Sequence, residues 1–261
     1  RHHERVRAPG RLACVGERGR PDRQRAVKAV RCALILILAA VTAIASDLTA
    51  IQDNSFLAEE AYNQEKGIVQ HISLFMRDRK SGDWIYMFTQ EWPVLSQTHQ
   101  LSYTIPLVGD GSREVGDVLV NYRYQLIGSG DTALAIAPRL SLIIPTGDEN
   151  KGASRGATGL QALMPISRVI ATRVASHSDA GATWYHDGNS ADLFLGQSLI
   201  YALNSRVHLM AEATWSRAEH ETEVLISPGV RWAYNFRSGL QIVPGGRSII
   251  MYLSFEHPFV K

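Results

Sequence analysis

The chain has 261 residues, 45% of them hydrophobic and 20% charged, with a formal net charge of +2. That composition excludes a disordered or collagen-like chain, and a mean hydropathy of -0.09 excludes a bundle of membrane helices. Residues 1–45 hold 10 of the 27 Lys/Arg, only 3 of the 25 Asp/Glu and both cysteines, so the rest is acidic and cysteine-free. The overall positive charge is therefore no argument for a nucleic-acid partner, and neither a disulfide framework nor a thiolate metal site is available after residue 45.

In chain order, residues 1–26 are Arg-rich and precede any recognisable element. They read as a non-native upstream extension or as a disordered basic arm. Residues 27–45 read as a signal peptide. Lys28 and Arg31 flank the apolar run "ALILILAAVTAIA" (33–45), which is too short to span a bilayer and ends in the small-residue pattern Ala43-Ile44-Ala45. Cleavage is expected after Ala45, delivering the chain to the outer membrane of a bacterial cell. Residues 46–66 are polar and acidic, and "FLAEEAYNQ" has the composition of a short helix. This stretch is expected to be a periplasmic N-terminal segment, serving as a plug or a docking segment.

From Gly67 onward the apolar residues recur with period two. Twelve strands are predicted, at 67–77, 83–92, 99–108, 116–127, 131–145, 157–165, 169–186, 191–203, 206–216, 223–236, 239–243 and 247–258, with ten or fourteen as the alternatives. "GDVLVNYRYQL" (116–126) shows the pattern plainly: Val118, Val120, Tyr122, Tyr124 and Leu126 share one face, and Leu119, Asn121, Arg123 and Gln125 share the other. A soluble sandwich would alternate in the same way. Three features favour an antiparallel transmembrane barrel over residues 67–261. Many strands reach the length needed to cross hydrocarbon at a tilt. Aromatics gather near strand ends on the apolar face, at Trp84, Tyr86, Trp215, Tyr234 and Phe236, as in a lipid-facing girdle. The connections also alternate, with long charged loops such as 77–83, 108–116, 146–157 and 216–223 and short turns such as 127–131, 204–206 and 236–239. The segments 93–99 and 243–247 fit this alternation less well.

The segments "NSFLAEEAYNQEKGIVQHI" (54–72), "FTQEWPV" (88–94), "HQLSYTIP" (99–106), "IIPTGD" (143–148) and "YLSFEHPF" (252–259) resemble bacterial outer-membrane barrels grouped as a phenol meta-pathway degradation, or transporter-like, family. The resemblance covers residues 53–259 and departs near "IVPGGRSII" (242–250). It implies a single outer-membrane barrel and a transport-like role, and it brings no catalytic residues.

Little else in the sequence carries chemistry. The seven histidines after residue 45 form no H-x-x-x-H or H-E-x-x-H pair, no G-x-S-x-G elbow is present, and the glycine-rich loops lack the Lys-Ser/Thr of a phosphate loop. His177 with Ser176 or Ser178 is the candidate for a barrel enzyme. No catalytic residue, metal or cofactor is assigned. Period two instead places Glu91, Asn121, Arg123, Gln125, Arg139, Glu212, Arg231, Asn235 and Glu256 on polar faces, where they would line a lumen. Twelve strands lie between a barrel filled by side chains and one with an aqueous channel, so an open and a plugged lumen both stand. The expected partners are outer-membrane lipid, the outer-membrane assembly machinery and an unidentified small solute, with the oligomeric state open. The preferred reading is passive passage or binding of that solute. The alternatives are a structural or assembly barrel without transport, a phospholipase-like barrel enzyme and a soluble periplasmic β protein.

Overall fold

The computed structural model describes residues 53–109, 113–130, 132–188, 191–218, 221–234, 237–242 and 248–259. The expected signal peptide, its cleavage site, Asn235 and Phe236 lie outside these residues.

Fourteen strands form one antiparallel sheet: β1 (Ile68–Asp78), β2 (Trp84–Val94), β3 (Ser96–Gly109), β4 (Arg113–Val115), β5 (Val118–Tyr124), β6 (Leu134–Ile136), β7 (Arg139–Ile144), β8 (Gly159–Ala171), β9 (Val174–Tyr185), β10 (Asp192–Ala202), β11 (Val207–Ala218), β12 (Glu221–Ala233), β13 (Arg237–Ile242) and β14 (Ser248–Pro258). The strands pair in chain order around the sheet, except that the short β4 pairs only with β3 and the short β6 only with β8, and β1 pairs with β14 along their full length, from Ile68 opposite Pro258 to Asp78 opposite Ser248. The sheet is thus a closed ring without free edges. β4 continues the ladder of β3 where β5 leaves it, and β6 extends the ladder of β8 beyond β7. Each of these two pairs occupies a single place in the ring, so the barrel has twelve positions, as the periodicity predicts. The break between β6 and β7 falls at Pro138, which has no N–H to give the ladder.

Side chains alternate as the period-two pattern requires. On β5, Val120, Tyr122 and Tyr124 face out at 44%, 39% and 39% exposure, while Asn121 and Arg123 face in and are buried. On β14, Met251, Leu253 and Phe255 face out and Tyr252 and Ser254 face in. The outer surface is thereby rich in large apolar side chains and the interior is largely polar, the reverse of a soluble β protein.

Two boundaries differ from the sequence reading. Residues 93–99 are not a loop: β2 runs to Val94, β3 starts at Ser96, and only Leu95, in the left-handed region at φ 63°, turns the chain. The turn expected near residues 166–168 lies instead at Thr172-Arg173, because β8 continues through Arg168 in register with Ser176 of β9. Both errors come from polar, inward residues that look like turn residues in the sequence.

The two ends of the barrel differ. One carries the longer connections, including residues 145–158, where Asp148 caps a short 3-10 turn, Glu149–Lys151. Fully buried Asp117 accepts the Gly147 N–H at 3.2 Å and holds that loop against the barrel. The other end carries Leu95, Thr172-Arg173, the start of β1 and the end of β14, where the Phe259 N–H donates to the Gly67 carbonyl at 2.6 Å.

Candidate functional site: the barrel interior

The helix expected over "FLAEEAYNQ" is absent. Residues 53–66 run as irregular backbone inside the barrel, and Asp53, Phe56, Ala58, Glu60, Ala61, Tyr62 and Asn63 are all buried. An irregular segment exposes its backbone N–H and C=O groups, and buried groups of this kind need partners. The strand walls supply them. The Glu212 carboxylate accepts the N–H groups of Phe56, Leu57 and Ala58 at 3.1–3.3 Å. Asp179 accepts from Glu59 N–H at 2.7 Å, Ser167 from Ala61 at 2.7 Å, Gln125 from Asn63 at 2.8 Å and Gln100 from Gln64 at 2.7 Å. A helix would have satisfied these amides internally. Here five of the six residues 56–61 give up that option for contacts with inward side chains of three strands, β8, β9 and β11, and the Glu60 N–H donates to Asn54 Oδ1 at 2.8 Å.

Two arginines hold the carbonyls of the same segment. Arg123 donates to the carbonyls of Glu60 and Tyr62 at 3.0 and 2.9 Å and to Asn63 Oδ1 at 2.9 Å, with the Glu91 carboxylate 3.6 Å away. Arg231 donates to the carbonyls of Asp53 and Asn54 at 3.3 and 3.0 Å and faces the Asp53 carboxylate at 3.6 Å. Asp53 also accepts from Tyr252 Oη at 2.7 Å and from Ser254 Oγ at 3.2 Å. The planar guanidinium suits this task because it offers several fixed donors to successive carbonyls. Apolar contact completes the fit. Phe56 packs against Tyr252 with the rings tilted at 57° and their centroids 5.7 Å apart, and it lies over Gly239, where a Cβ would collide with its ring.

The predicted interior residues therefore divide by role. Glu91, Arg123, Glu212 and Arg231 are buried and grip the segment directly or hold a residue that does. Gln125 grips it through Asn63 N–H and the Ala61 carbonyl. Asn121 and Arg139 lie further toward the loop end: Arg139 donates to Asn121 and Gln161 at 3.1 and 2.8 Å and pairs with Glu59 at 2.9 Å. Glu256 sits at the rim near the chain ends, 37% exposed, paired with Arg237 at 3.1 Å. Gln70, Gln100, Ser167, Asp179, Ser198 and Gln241 belong to the same interior and were missed. Their signal was parity on the strands, hidden for Ser167 by the misplaced turn.

The girdle residues lie on the outer face. Trp84 and Trp215 stand near the loop end and Tyr234, 70% exposed, near the other. Tyr86 is also outward and hydrogen bonds Ser73 at 3.0 Å. Trp184 and Trp232, also outward and about half exposed, add to the two bands.

Neither serine of the candidate enzyme pair meets His177. Ser176 and Ser178 point outward to Gln197, whereas His177 points inward, because adjacent residues of a strand face opposite ways. His177 instead meets Ser167 at 2.7 Å, where the hydroxyl is already committed to Ala61 N–H and both side chains are fully buried. No group of three or more His, Cys, Asp or Glu suited to a metal ion occurs among the described residues. No helix among them is long and apolar enough to cross a membrane.

The interior segment separates two cavities. The larger, of about 440 Å³, has residues 54–59 as its floor and reaches Arg217, Glu221 and Glu223 at the loop end. The smaller, of about 170 Å³, lies on the other side, between residues 60–65 and the Arg237–Glu256 pair.

No family model matches the chain, and no curated protein matches it. Solved structures do. The KdgM porin is similar with a TM-score of 0.50 at 9% identity, covering 74% of this chain and 99% of that one. The COG4313 outer membrane channel from Pseudomonas putida F1 is similar with a TM-score of 0.57 at 10% identity, covering 76% of this chain and 98% of that one. At such identities the likeness concerns the fold, a closed antiparallel twelve-strand barrel of the kind found in porins. The phenol meta-pathway grouping is not confirmed by any matching model.

Proposed function

We propose that this chain is an outer-membrane channel whose interior is closed by its own residues 53–66, and that a small solute enters from the loop end. The observation that carries the reading is the combination of an apolar outer band, a polar interior and one segment that divides the interior into two cavities. Hydrocarbon offers no hydrogen bonds to backbone, so a sheet that spans it must close on itself as this one does. The fold likeness to the KdgM porin and the COG4313 channel supports the same assignment. With β1 starting and β14 ending at one rim, the short turns face the periplasm and the long loops face outward. Enzyme activity has no assembled site to support it.

Conductance in planar bilayers tests the reading. The folded chain is expected to give small or rare steps, and a variant lacking residues 53–66 large and frequent ones. A deletion variant that inserts, migrates as a folded barrel and stays silent would leave a structural barrel without transport. Large steps from the intact chain would remove the plug from the proposal.

A further inference from the structure

The larger cavity is lined by apolar wall residues, among them Leu163, Phe194 and Leu225, interleaved with carboxylates. Asp179 is the carboxylate set deepest. It is 4% exposed, its Oδ2 accepts the Glu59 N–H at 2.7 Å, and its Oδ1 has no hydrogen-bond partner. Directly across the ladder stands Gly196, which contributes no side chain to cover that oxygen. Two residues from Gly196, on the same inward face, the Phe194 ring folds back to within 3.1 Å of the place a Cβ would occupy. Arg139 of the cavity wall gives Nη1 to Asn121 and Nη2 to Gln161 and Glu59, and its Nε makes no hydrogen bond to Asp179. Asp192, Glu221 and Glu223 add acidic groups to the lining, against Arg217.

A buried carboxylate oxygen without a partner is costly. An aromatic face beside it and apolar surface around it favour one kind of ligand. We propose that this cavity binds a small organic ammonium ion, its charged head on Asp179 Oδ1 beside the Phe194 ring and its apolar body against Leu163 and Leu225. The head makes a charge-assisted hydrogen bond and a cation–π contact, which a neutral or anionic analogue of the same shape cannot make. The acidic lining draws the cation in and disfavours a carboxylate. This deepens the channel reading by naming the class of solute, and it rests on that reading only for the direction of passage.

The test is calorimetric titration of the folded full chain in detergent with three probes of one skeleton: phenethylammonium, phenethyl alcohol and hydrocinnamate. Phenethylammonium is expected to bind about tenfold more tightly than the alcohol, and hydrocinnamate most weakly. Asp179→Asn should erase the preference for the amine over the alcohol. Because Asp179 also holds Glu59, Phe194→Leu provides a second arm in which the carboxylate is intact; it should weaken the amine several-fold more than the alcohol. Equal binding of the three probes, no binding at all, or a preference that survives both substitutions would overturn the assignment. Binding is read without a membrane, so a silent barrel that still selects the amine would sink the channel and keep the site. A conducting barrel with no such preference would do the opposite.

Discussion

At the residue scale, one position on β5 reports the outer face and its neighbours report the inner. Val120 is outward, near the middle of its strand and 44% exposed. Val120→Arg is expected to cost about 2–4 kcal/mol in a urea-unfolding measurement in lipid, the range for a cation on a mid-bilayer barrel surface. A cost near zero would mean that this face meets water. Arg123 is the opposite case. Its three hydrogen bonds to residues 60–63 hold the interior segment, and the strand ladder does not depend on them. Arg123→Ala should therefore leave a heat-modifiable folded barrel and raise the frequency of conductance steps about tenfold, since each such bond to a charged donor is worth roughly 1.5–3 kcal/mol. Glu60 adds a pH dependence. Burial, followed by the charge of Asp53, pushes its carboxyl well above the usual carboxylate range, against the opposing pull of Arg123 and Arg237. The seated segment then binds the proton more tightly than the released one, so seating is favoured in acid and weakens as pH rises from the ordinary carboxylate pKa through the raised one. Conductance should increase over that interval in the intact chain, and Glu60→Gln should flatten the dependence; an unchanged slope would assign it elsewhere.

At the element scale, the interior segment and the wall are complementary surfaces. Residues 53–66 have no helix or strand of their own, and their amides and carbonyls are met by side chains of the wall. Such a buried polar network is strong when every member is paired and weak once a few are not. Its apolar keystone is Phe56, between the Tyr252 ring and Gly239. Gly239→Leu puts a branched side chain where that ring now lies. It should unseat the segment; its Cβ also stands 2.9 Å from the Val230 carbonyl oxygen, so the β12–β13 ladder shifts locally there, while the other pairs of β13 to β12 and β14 hold the sheet closed. The expected record is a folded barrel with frequent open steps and with residues 53–66 newly sensitive to protease. Continued closure would show that the wall can repack around the added volume.

At the scale of the whole molecule, closure through β1 and β14 decides what the interior can be. Each of the twelve places in the ring has a neighbour on both sides, so every inward side chain faces another inward side chain or the segment that fills the barrel. This is why Glu212 on β11 and Gln241 on β13 can share a hydrogen bond, and why Asp53 can touch Tyr252 and Ser254, about 200 positions away. The same closure brings His71 and His257 within 2.9 Å on the outer face, stacked with Phe255. The two histidines belong to opposite ends of the chain, which is why no spacing rule could pair them.

Strand positions, facing and the number of places in the ring follow from period two in the sequence alone. Each side chain's choice between lipid and interior is a local matter of hydrophobicity, repeated along Val118–Leu126 and along Ser248–Phe255. Turn positions were legible where glycine and charge cluster, as in residues 146–157, and illegible at Leu95 and Thr172, where the chain reverses without the usual turn residues. The tertiary structure alone decided the fate of residues 53–66. Their composition suits a helix in water, but inside a closed barrel the carboxylates of Glu212 and Asp179 and the guanidinium groups of Arg123 and Arg231 compete for the same backbone groups. Those partners come from distant strands, and only the folded ring concentrates them along one path. The path, and the pocket it leaves above Asp179, therefore depends on the whole ring and not on any one stretch of the chain.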